Sequence, residues 1–159
     1  ASRVLVFDTK DNEWRSAAPL PTARRALAVA TDGKGIYAVG GIRPDGSVTG
    51  ALEMLDVAGN KWSSLPAMPS ARGALAAGVI NGRLHVVGGE TWKPLKTYAS
   101  HDVFALSSRT WDRQEALPSA RQGMAAGVAA GRLWVFGGGS GAGVFGMFTA
   151  SDAVDGFEP

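Results

Sequence analysis

Three arginines recur at a nearly fixed interval and are the first residues in this sequence that could bind a charged ligand. Arg24, Arg72 and Arg121 lie 48 and 49 residues apart. A guanidinium group donates paired hydrogen bonds to carboxylate, sulfate and phosphate groups. If each arginine begins an equivalent strand, the three side chains occupy equivalent places and could together hold an acidic group. The alternative is that a residue repeated in every unit serves that unit, by bonding to carbonyl groups of the adjacent loop.

A second group of candidates lies in residues 90–100, a segment that is not repeated, and just beyond it. Its members are Trp92, Lys93, Lys96, Tyr98 and His101. Aromatic rings next to cations suit a sugar, a peptide or an acidic group. The alternative is an ordinary solvated loop that its tryptophan anchors. Loops on a rigid scaffold often carry binding, so we predict the ligand-binding residues here and at the repeated arginines.

The two histidines do not indicate a metal site. His85 occupies the position at which the other repeats have Tyr37 and Trp134, which indicates a packing role. His101 could be a base or a ligand, but no second histidine stands near it in the sequence, and these two alone would make a poor site. We therefore predict no metal, no cofactor and no catalytic residue.

Other polar and glycine-rich positions are expected to be structural. Glu53, Asp102 and Asp155 share one register, and carboxylates in such strands are expected to face solvent or to bond to loops. The glycine-rich segment 137–143 lacks the following lysine of a phosphate-binding loop, so no nucleotide site is predicted.

Short strands must position all of these residues. Three apolar runs, at residues 36–41, 84–89 and 133–138, each end in two glycines, as is typical of buried strands that run into tight turns. The tryptophans follow the same period; they are Trp14, Trp62 and Trp111. A period of this length predicts a repeat architecture.

Composition excludes several classes of function. The chain has 159 residues, 45% of them hydrophobic, 22 glycines, no cysteine and a net charge of +2. No basic run is present, so nucleic-acid binding is not indicated. No apolar stretch is long enough to span a membrane and no signal peptide is evident, so we expect a soluble chain of unspecified compartment.

The repeats resemble those of the kelch family, in which a strand ends in Gly-Gly and a tryptophan follows about 20 residues later, at about 50 residues per repeat. The matching residues are Gly40, Gly41 and Trp62, then Gly88, Gly89 and Trp111, and then Gly137 and Gly138 without a following tryptophan. The tyrosine that the family often has before its tryptophan is replaced by Asp56 and Ala105. The resemblance covers nearly the whole chain.

The resemblance implies an all-β fold of four-stranded antiparallel blades from a β-propeller. We predict an outer hairpin of a first partial blade at residues 1–19, blades at 20–67 and 68–116, and a blade lacking its outer strand at 117–159. The thirteen predicted strands make about three blades, too few to close a ring. We therefore expect self-association, or a second segment that completes the propeller, although two copies would give 26 strands, which is not a multiple of four.

For function, the resemblance implies a binding scaffold that recognises a protein, or an acidic or carbohydrate ligand, through the loops around the channel. One alternative is an enzyme acting on an acidic sugar, since bacterial sialic-acid epimerases are six-bladed kelch proteins. The other is a purely structural or engineered repeat segment.

Overall fold

The chain consists almost entirely of short antiparallel strands. A computed structural model describes residues 2–159, and in this range it contains fifteen β-strands, one 3-10 helix and no α-helix. The predicted all-β fold of four-stranded blades is confirmed. The predicted first segment starts at residue 1, which lies outside the described residues. No helix in the described range is long and apolar enough to cross a membrane.

The bounds of the elements follow in chain order. The strands are β1 (Val4–Asp8), β2 (Glu13–Ala17), β3 (Ala28–Thr31), β4 (Gly35–Val39), β5 (Leu52–Asp56), β6 (Lys61–Leu65), β7 (Ala76–Ile80), β8 (Arg83–Val87), β9 (Glu90–Trp92), β10 (Leu95–Thr97), β11 (His101–Ala105), β12 (Thr110–Gln114), β13 (Ala125–Ala129), β14 (Arg132–Phe136) and β15 (Val154–Phe157). The 3-10 helix spans Gly143–Phe148.

The strands form four blade-like sheets and one small hairpin. Strands β1 and β2 pair alone, two complete sheets have the orders β3-β4-β5-β6 and β7-β8-β11-β12, and the last sheet is β13-β14-β15. The hairpin β9-β10 lies within residues 90–100, which we expected to be a loop, so the predicted count of thirteen strands is too low. None of the sheets is closed: β1 and β15 each have a single strand neighbour in the described part of the chain.

Neighbouring sheets are joined at their inner ends by backbone hydrogen bonds. Ala74 N donates to Ala26 O at 2.7 Å, and Gly123 N donates to Ala74 O at 2.8 Å. Ala26, Ala74 and Gly123 all have positive φ, and for this reason the first strand of each sheet begins a few residues later than its alanine-rich sequence suggests. The inner strands β3, β7 and β13 consequently lie side by side.

The paired glycines are required because the next sheet approaches their backbone closely. Gly41 N donates to Arg72 O at 2.9 Å, and Gly89 N donates to Arg121 O at 2.8 Å. A Cβ atom on Gly40 would lie 2.7 Å from Arg72 O. The φ of Gly40, +65°, is also unfavourable for other residues. The Gly-Gly turns are thus contacts between blades.

Apolar side chains fill the spaces between sheets. One cluster joins the first complete sheet to the second and includes Val39, Leu52, Leu84 and Phe104. A second cluster joins the second complete sheet to the last one. The same packing that stacks the blades holds their loops on a common face.

Candidate functional site

The repeated arginines lie inside the blades. Arg24, Arg72 and Arg121 are at most 2% exposed. Arg24 Nη1 donates to Glu53 Oε2 at 2.5 Å, and its Nη2 donates to the carbonyl oxygen of Ala38 at 3.0 Å. The side chain therefore ties the entry of the first strand to the second and third strands of the same sheet.

Arg72 makes the corresponding contacts in the next sheet. Its Nη1 donates to Asp102 Oδ2 at 2.6 Å and to Ser70 O at 2.9 Å, and its Nε donates to Gly88 O at 2.6 Å. Burial lowers the pKa of Arg72 below its ordinary value, whereas the charge of Asp102 and its hydrogen bond act in the opposite direction. A buried guanidinium with this many acceptors remains charged and fixed in place.

Arg121 repeats the arrangement in the last sheet, where it pairs with Asp155 and donates to Gly137 O at 2.9 Å. The three guanidinium groups are thus bonded within their own blades, which favours the packing interpretation of these arginines over the ligand-binding one. The acidic-sugar alternative required them to be free at the channel mouth.

The acidic partners of the arginines correct one expectation. We expected carboxylates at this register to face solvent or to bond to loops, but Glu53 and Asp102 are each 3% exposed and paired with a guanidinium. The sequence does carry the signal, because an arginine column and an acidic column recur together. Because the spacing between the two columns is not constant, the sequence alone does not indicate that they pair.

The two histidines form a buried pair rather than a surface site. His85 Nδ1 and His101 Nε2 are 3.0 Å apart, and His101 Nδ1 is 3.0 Å from Glu115 O. Since a carbonyl can only accept, His101 carries its proton on Nδ1, and its Nε2 accepts the proton of His85 Nδ1. Phe157 packs edge-on against the His101 ring at 4.6 Å. His101 is buried on β11, whereas Trp92, Lys93 and Lys96 of the same candidate group are exposed.

Burial governs the titration of this pair. Burial, His101 and Arg83 lower the pKa of His85 to about 4. Burial also lowers the pKa of His101, against the opposing effect of the hydrogen bond to Glu115 O. Both rings are therefore neutral at neutral pH. The described residues contain no group of three or more side chains that could hold a metal ion.

The three variable segments, residues 42–50, 90–100 and 139–151, share one face, which we call the loop face. Glu90 is buried and links two of them: its Oε1 accepts from Trp92 Nε1 at 2.8 Å, and its Oε2 accepts from Gly143 N at 2.6 Å. Both oxygens of this carboxylate are therefore committed to holding the loops.

A cleft of about 570 Å³ opens between the first two segments. The residues that line it are Asp45, Gly46, Ser47, Val48, Trp92 and Lys93. Trp92 is 41% exposed, and the guanidinium of Arg25 lies 5.1 Å from the centre of its ring. The structure thus brings Trp92 and Lys93 together and adds Arg25, which sequence reasoning missed. Its signal was that position 25, unlike position 24, differs between the repeats.

Lys96 and Tyr98 lie on or next to β10, the second strand of the small hairpin. The ammonium group of Lys96 is 5.0 Å from the centre of the Tyr98 ring. Tyr98 is half-buried, and its hydroxyl lies 3.4 Å from Thr91 Oγ1. Lys96 is exposed and adds a further positive charge to this part of the loop face.

The third segment contributes an apolar surface. Residues 139–151 contain no charged side chain. Val144, Phe145 and Phe148 are exposed there, and Leu95 of the small hairpin approaches Gly143. Exposed apolar groups of this size are characteristic of interaction surfaces. The sequence signal was a group of large apolar residues that includes two phenylalanines, in a segment otherwise rich in glycine, alanine and serine.

One segment of the chain matches a known protein family. Residues 23–69 match the family model of the kelch motif. The chain carries a kelch repeat. The matched span holds the first complete sheet, so that sheet is a kelch blade, and the next sheet repeats its glycine, arginine and tryptophan columns. The comparison with curated proteins found no match. A kelch motif generally implies a scaffold for protein interactions.

Proposed function

We propose that the loop face of this kelch chain binds a segment of a partner protein in which acidic side chains stand next to an apolar anchor. The observation that carries the proposal is the cleft beside Trp92, with Arg25 over the exposed ring and Lys93 in the wall. Aromatic and arginine side chains dominate the affinity of many protein interfaces.

Charge on this part of the loop face favours an acidic segment. Arg25, Arg43, Lys93 and Lys96 are exposed there. Of the nearby carboxylates, Glu90 is buried with both oxygens bonded. The other, Asp45, is exposed at the cleft, and hydrogen bonds from Ser47 lower the pKa of its carboxyl group. The balance is positive, which steers an acidic partner towards the cleft and gives binding that weakens with salt.

The apolar residues beside the cations supply the anchor site. Leu95, Phe145 and Phe148 are all more than half exposed. Hydrogen bonds from the Gly143 amide to Glu90 and from Thr97 Oγ1 to Ser140 O, the latter 2.8 Å long, tie this surface to the small hairpin. A partner side chain placed on these residues would bury apolar area in a largely preformed position.

The test uses a labelled acidic peptide with two central aromatic residues, and a basic peptide with the same aromatic centre, in fluorescence anisotropy titrations. We expect the acidic peptide to bind and the basic one not to bind. The charge reversals Arg25→Glu and Lys93→Glu together should raise Kd at least about 10-fold, which corresponds to about 1.4 kcal/mol. Replacing Phe145 and Phe148 by serine should weaken binding independently.

The matched control reverses Lys10 and Lys34, which occupy turns at the opposite ends of the strands. Equal weakening by the control pair would show non-specific charge attraction and contradict the proposal. Binding of sialic acid with no binding of the peptide would instead favour the acidic-sugar alternative.

A further inference from the structure

One buried carboxylate joins the cation-lined cleft to the apolar surface of the loop face. Glu90 is 5% exposed, and its two carboxylate oxygens accept hydrogen bonds from different segments. Oε1 accepts from the indole N–H of Trp92 at 2.8 Å, and Oε2 accepts from the backbone amide of Gly143 at 2.6 Å. Trp92 lines the cleft, whereas Gly143 begins the 3-10 helix that carries Phe145 and Phe148. The two parts of the proposed binding surface therefore share one side chain.

The link extends across three neighbouring sheets. Arg25 precedes β3 of the first complete sheet, and its guanidinium lies 5.1 Å from the centre of the Trp92 ring. Trp92 and Glu90 are both on β9, which follows β8 of the second complete sheet. Gly143 belongs to the segment between β14 and β15 of the last sheet. A continuous series of contacts thus runs from a guanidinium to an indole, to a carboxylate and to a backbone amide.

The side chain of Glu90 is not part of the repeated framework, although its backbone is. Ile42, Glu90 and Gly139 each follow a Gly-Gly pair, lie 48 and 49 residues apart and form a β-bridge within their own blade. Gly73 N donates to Glu90 O at 3.0 Å, and Glu90 N donates to Gly73 O at 2.8 Å, so the backbone at this position is fixed. Since the other copies have an aliphatic side chain and a glycine here, the carboxylate serves a purpose that the repeat does not require.

The two donors that meet at Glu90 require a carboxylate. Each oxygen of a carboxylate accepts and neither donates, so both N–H groups are satisfied. A glutamine of the same shape offers one acceptor oxygen and an NH2 group, which would face the other N–H and break one of the two links. Because the two oxygens are rigidly connected and the backbone of Glu90 is fixed, a movement of the Trp92 indole must turn the carboxylate. The acceptor of the Gly143 amide then moves with it.

We infer that Glu90 is a positioning residue that couples the cleft to the apolar surface, so that the two parts of the loop face bind their ligand cooperatively. The identity of that ligand rests on the proposed function. An acidic group that engages Arg25 fixes the indole of Trp92, and the carboxylate of Glu90 transmits this order to the start of the helix at Gly143. The apolar surface is then ordered before the anchor side chain arrives, which lowers the entropic cost of binding it. A partner segment gains from this coupling only when it carries the acidic group and the apolar anchor together.

A second hydrogen bond between the same two segments provides a matched control. Thr97 Oγ1 donates to Ser140 O at 2.8 Å, and this bond does not involve Trp92. Thr97→Val removes it and leaves the contacts from Trp92 to Gly143 in place. The control therefore loosens the junction between the segments without breaking the link through Glu90.

The first test uses the full chain without a ligand, so its result does not depend on the proposed function. It measures the exchange rate of the Gly143 amide proton by NMR. We expect Arg25→Ala to raise this rate at least about 3-fold, because the hydrogen bond to Glu90 opens more often once the Trp92 ring is less restrained. In a Glu90→Gln background, where one link is already broken, Arg25→Ala should leave the rate unchanged. In a Thr97→Val background it should raise the rate as in the unaltered chain.

Trp92→Phe breaks the same link at another point. Phenylalanine keeps an aromatic ring beneath Arg25 but has no N–H group to donate to Glu90, so Arg25→Ala should again leave the Gly143 exchange rate unchanged. This variant gives the answer even if Glu90→Gln does not fold. An equal effect of Arg25→Ala with and without the link, or no effect in the unaltered chain, would overturn the inference.

The second test is a double-mutant cycle with the labelled acidic peptide, in which Arg25→Ala is combined with the replacement of Phe145 and Phe148 by serine. In the unaltered chain the product of the two separate increases in Kd should exceed the increase in the combined variant by about 5-fold. In the Glu90→Gln chain the two should agree within about 2-fold. Peptide binding with independent effects in the unaltered chain would overturn the coupling and leave the proposed function intact. Absence of peptide binding, together with the expected exchange rates, would overturn the proposed function and support the coupling.

Discussion

The ion pair between Arg72 and Asp102 offers a quantitative test of how the blades are held together. Replacing Asp102 by asparagine keeps the volume and leaves an oxygen that can accept from Arg72 Nη1, now 2.6 Å from Oδ2. What is lost is the compensating charge of a guanidinium whose side chain is 0% exposed. The second cation near Asp102, Arg113, is 65% exposed and compensates little.

Breaking a buried ion pair costs about 3–5 kcal/mol, and the retained hydrogen bond places Asp102→Asn near the lower end, at about 3 kcal/mol. With an m-value of about 2 kcal/mol/M in urea, the midpoint of unfolding should fall by about 1.5 M. The total stability of a domain is only about 5–15 kcal/mol, so the loss is readily measured by tryptophan fluorescence.

Asp155→Asn is the matched control. Asp155 pairs with Arg121 in the same way, but its side chain is 26% exposed, compared with 4% for Asp102. Water can therefore replace part of the lost interaction, and we expect a cost of about 1–2 kcal/mol. Equal losses for the two variants, or a loss below about 1 kcal/mol for Asp102→Asn, would refute the view that burial sets the strength of these pairs.

Two further predictions concern the histidine pair and the glycine turns. Because the pKa of His85 is about 4, the unfolded chain binds more protons than the folded chain between pH 4 and about 6.5, so stability rises with pH in that window. Urea titrations should show that the free energy of unfolding falls by about 2 kcal/mol from pH 7 to pH 5, and His85→Leu should remove most of this decrease. An unchanged pH dependence in the variant would show that other groups cause the effect. Gly88→Ala should cost at least about 2 kcal/mol more than Gly82→Ala, because both have positive φ but a Cβ at Gly88 would lie 2.6 Å from the backbone oxygen of Arg121, whereas one at Gly82 meets nothing within 4 Å. Equal thermal shifts of the two variants in calorimetry would show that backbone strain alone matters.

Much of the fold could be predicted from residue types and spacing. The runs ending in Gly40–Gly41 and Gly88–Gly89 predict buried strands followed by turns, and the structure has β4 and β8 there. Asn81 and Gly82 predict a two-residue hairpin, and both have positive φ as that turn requires. These features were predictable because they depend on contacts between residues close in sequence, or on a repeat that the sequence itself displays.

The candidate site was predicted less completely. Trp92 and Lys93 were found because they are unusual residues in a segment that is not repeated. Arg25 was missed, because it reaches Trp92 only when the inner strand of one blade lies beside the loop of the next. His101 was grouped with the loop residues, although the alternation of β11 directs its side chain under Phe157.

The sequence by itself therefore determined the strand pattern, the period of 48 and 49 residues and the positions where the repeats differ. Local backbone preference and side-chain alternation are enough for that. Only the tertiary structure decided that the repeated arginines are buried partners of Glu53, Asp102 and Asp155. Those results depend on which residues about 30 or more positions apart meet when the blades stack, and spacing alone does not specify such contacts.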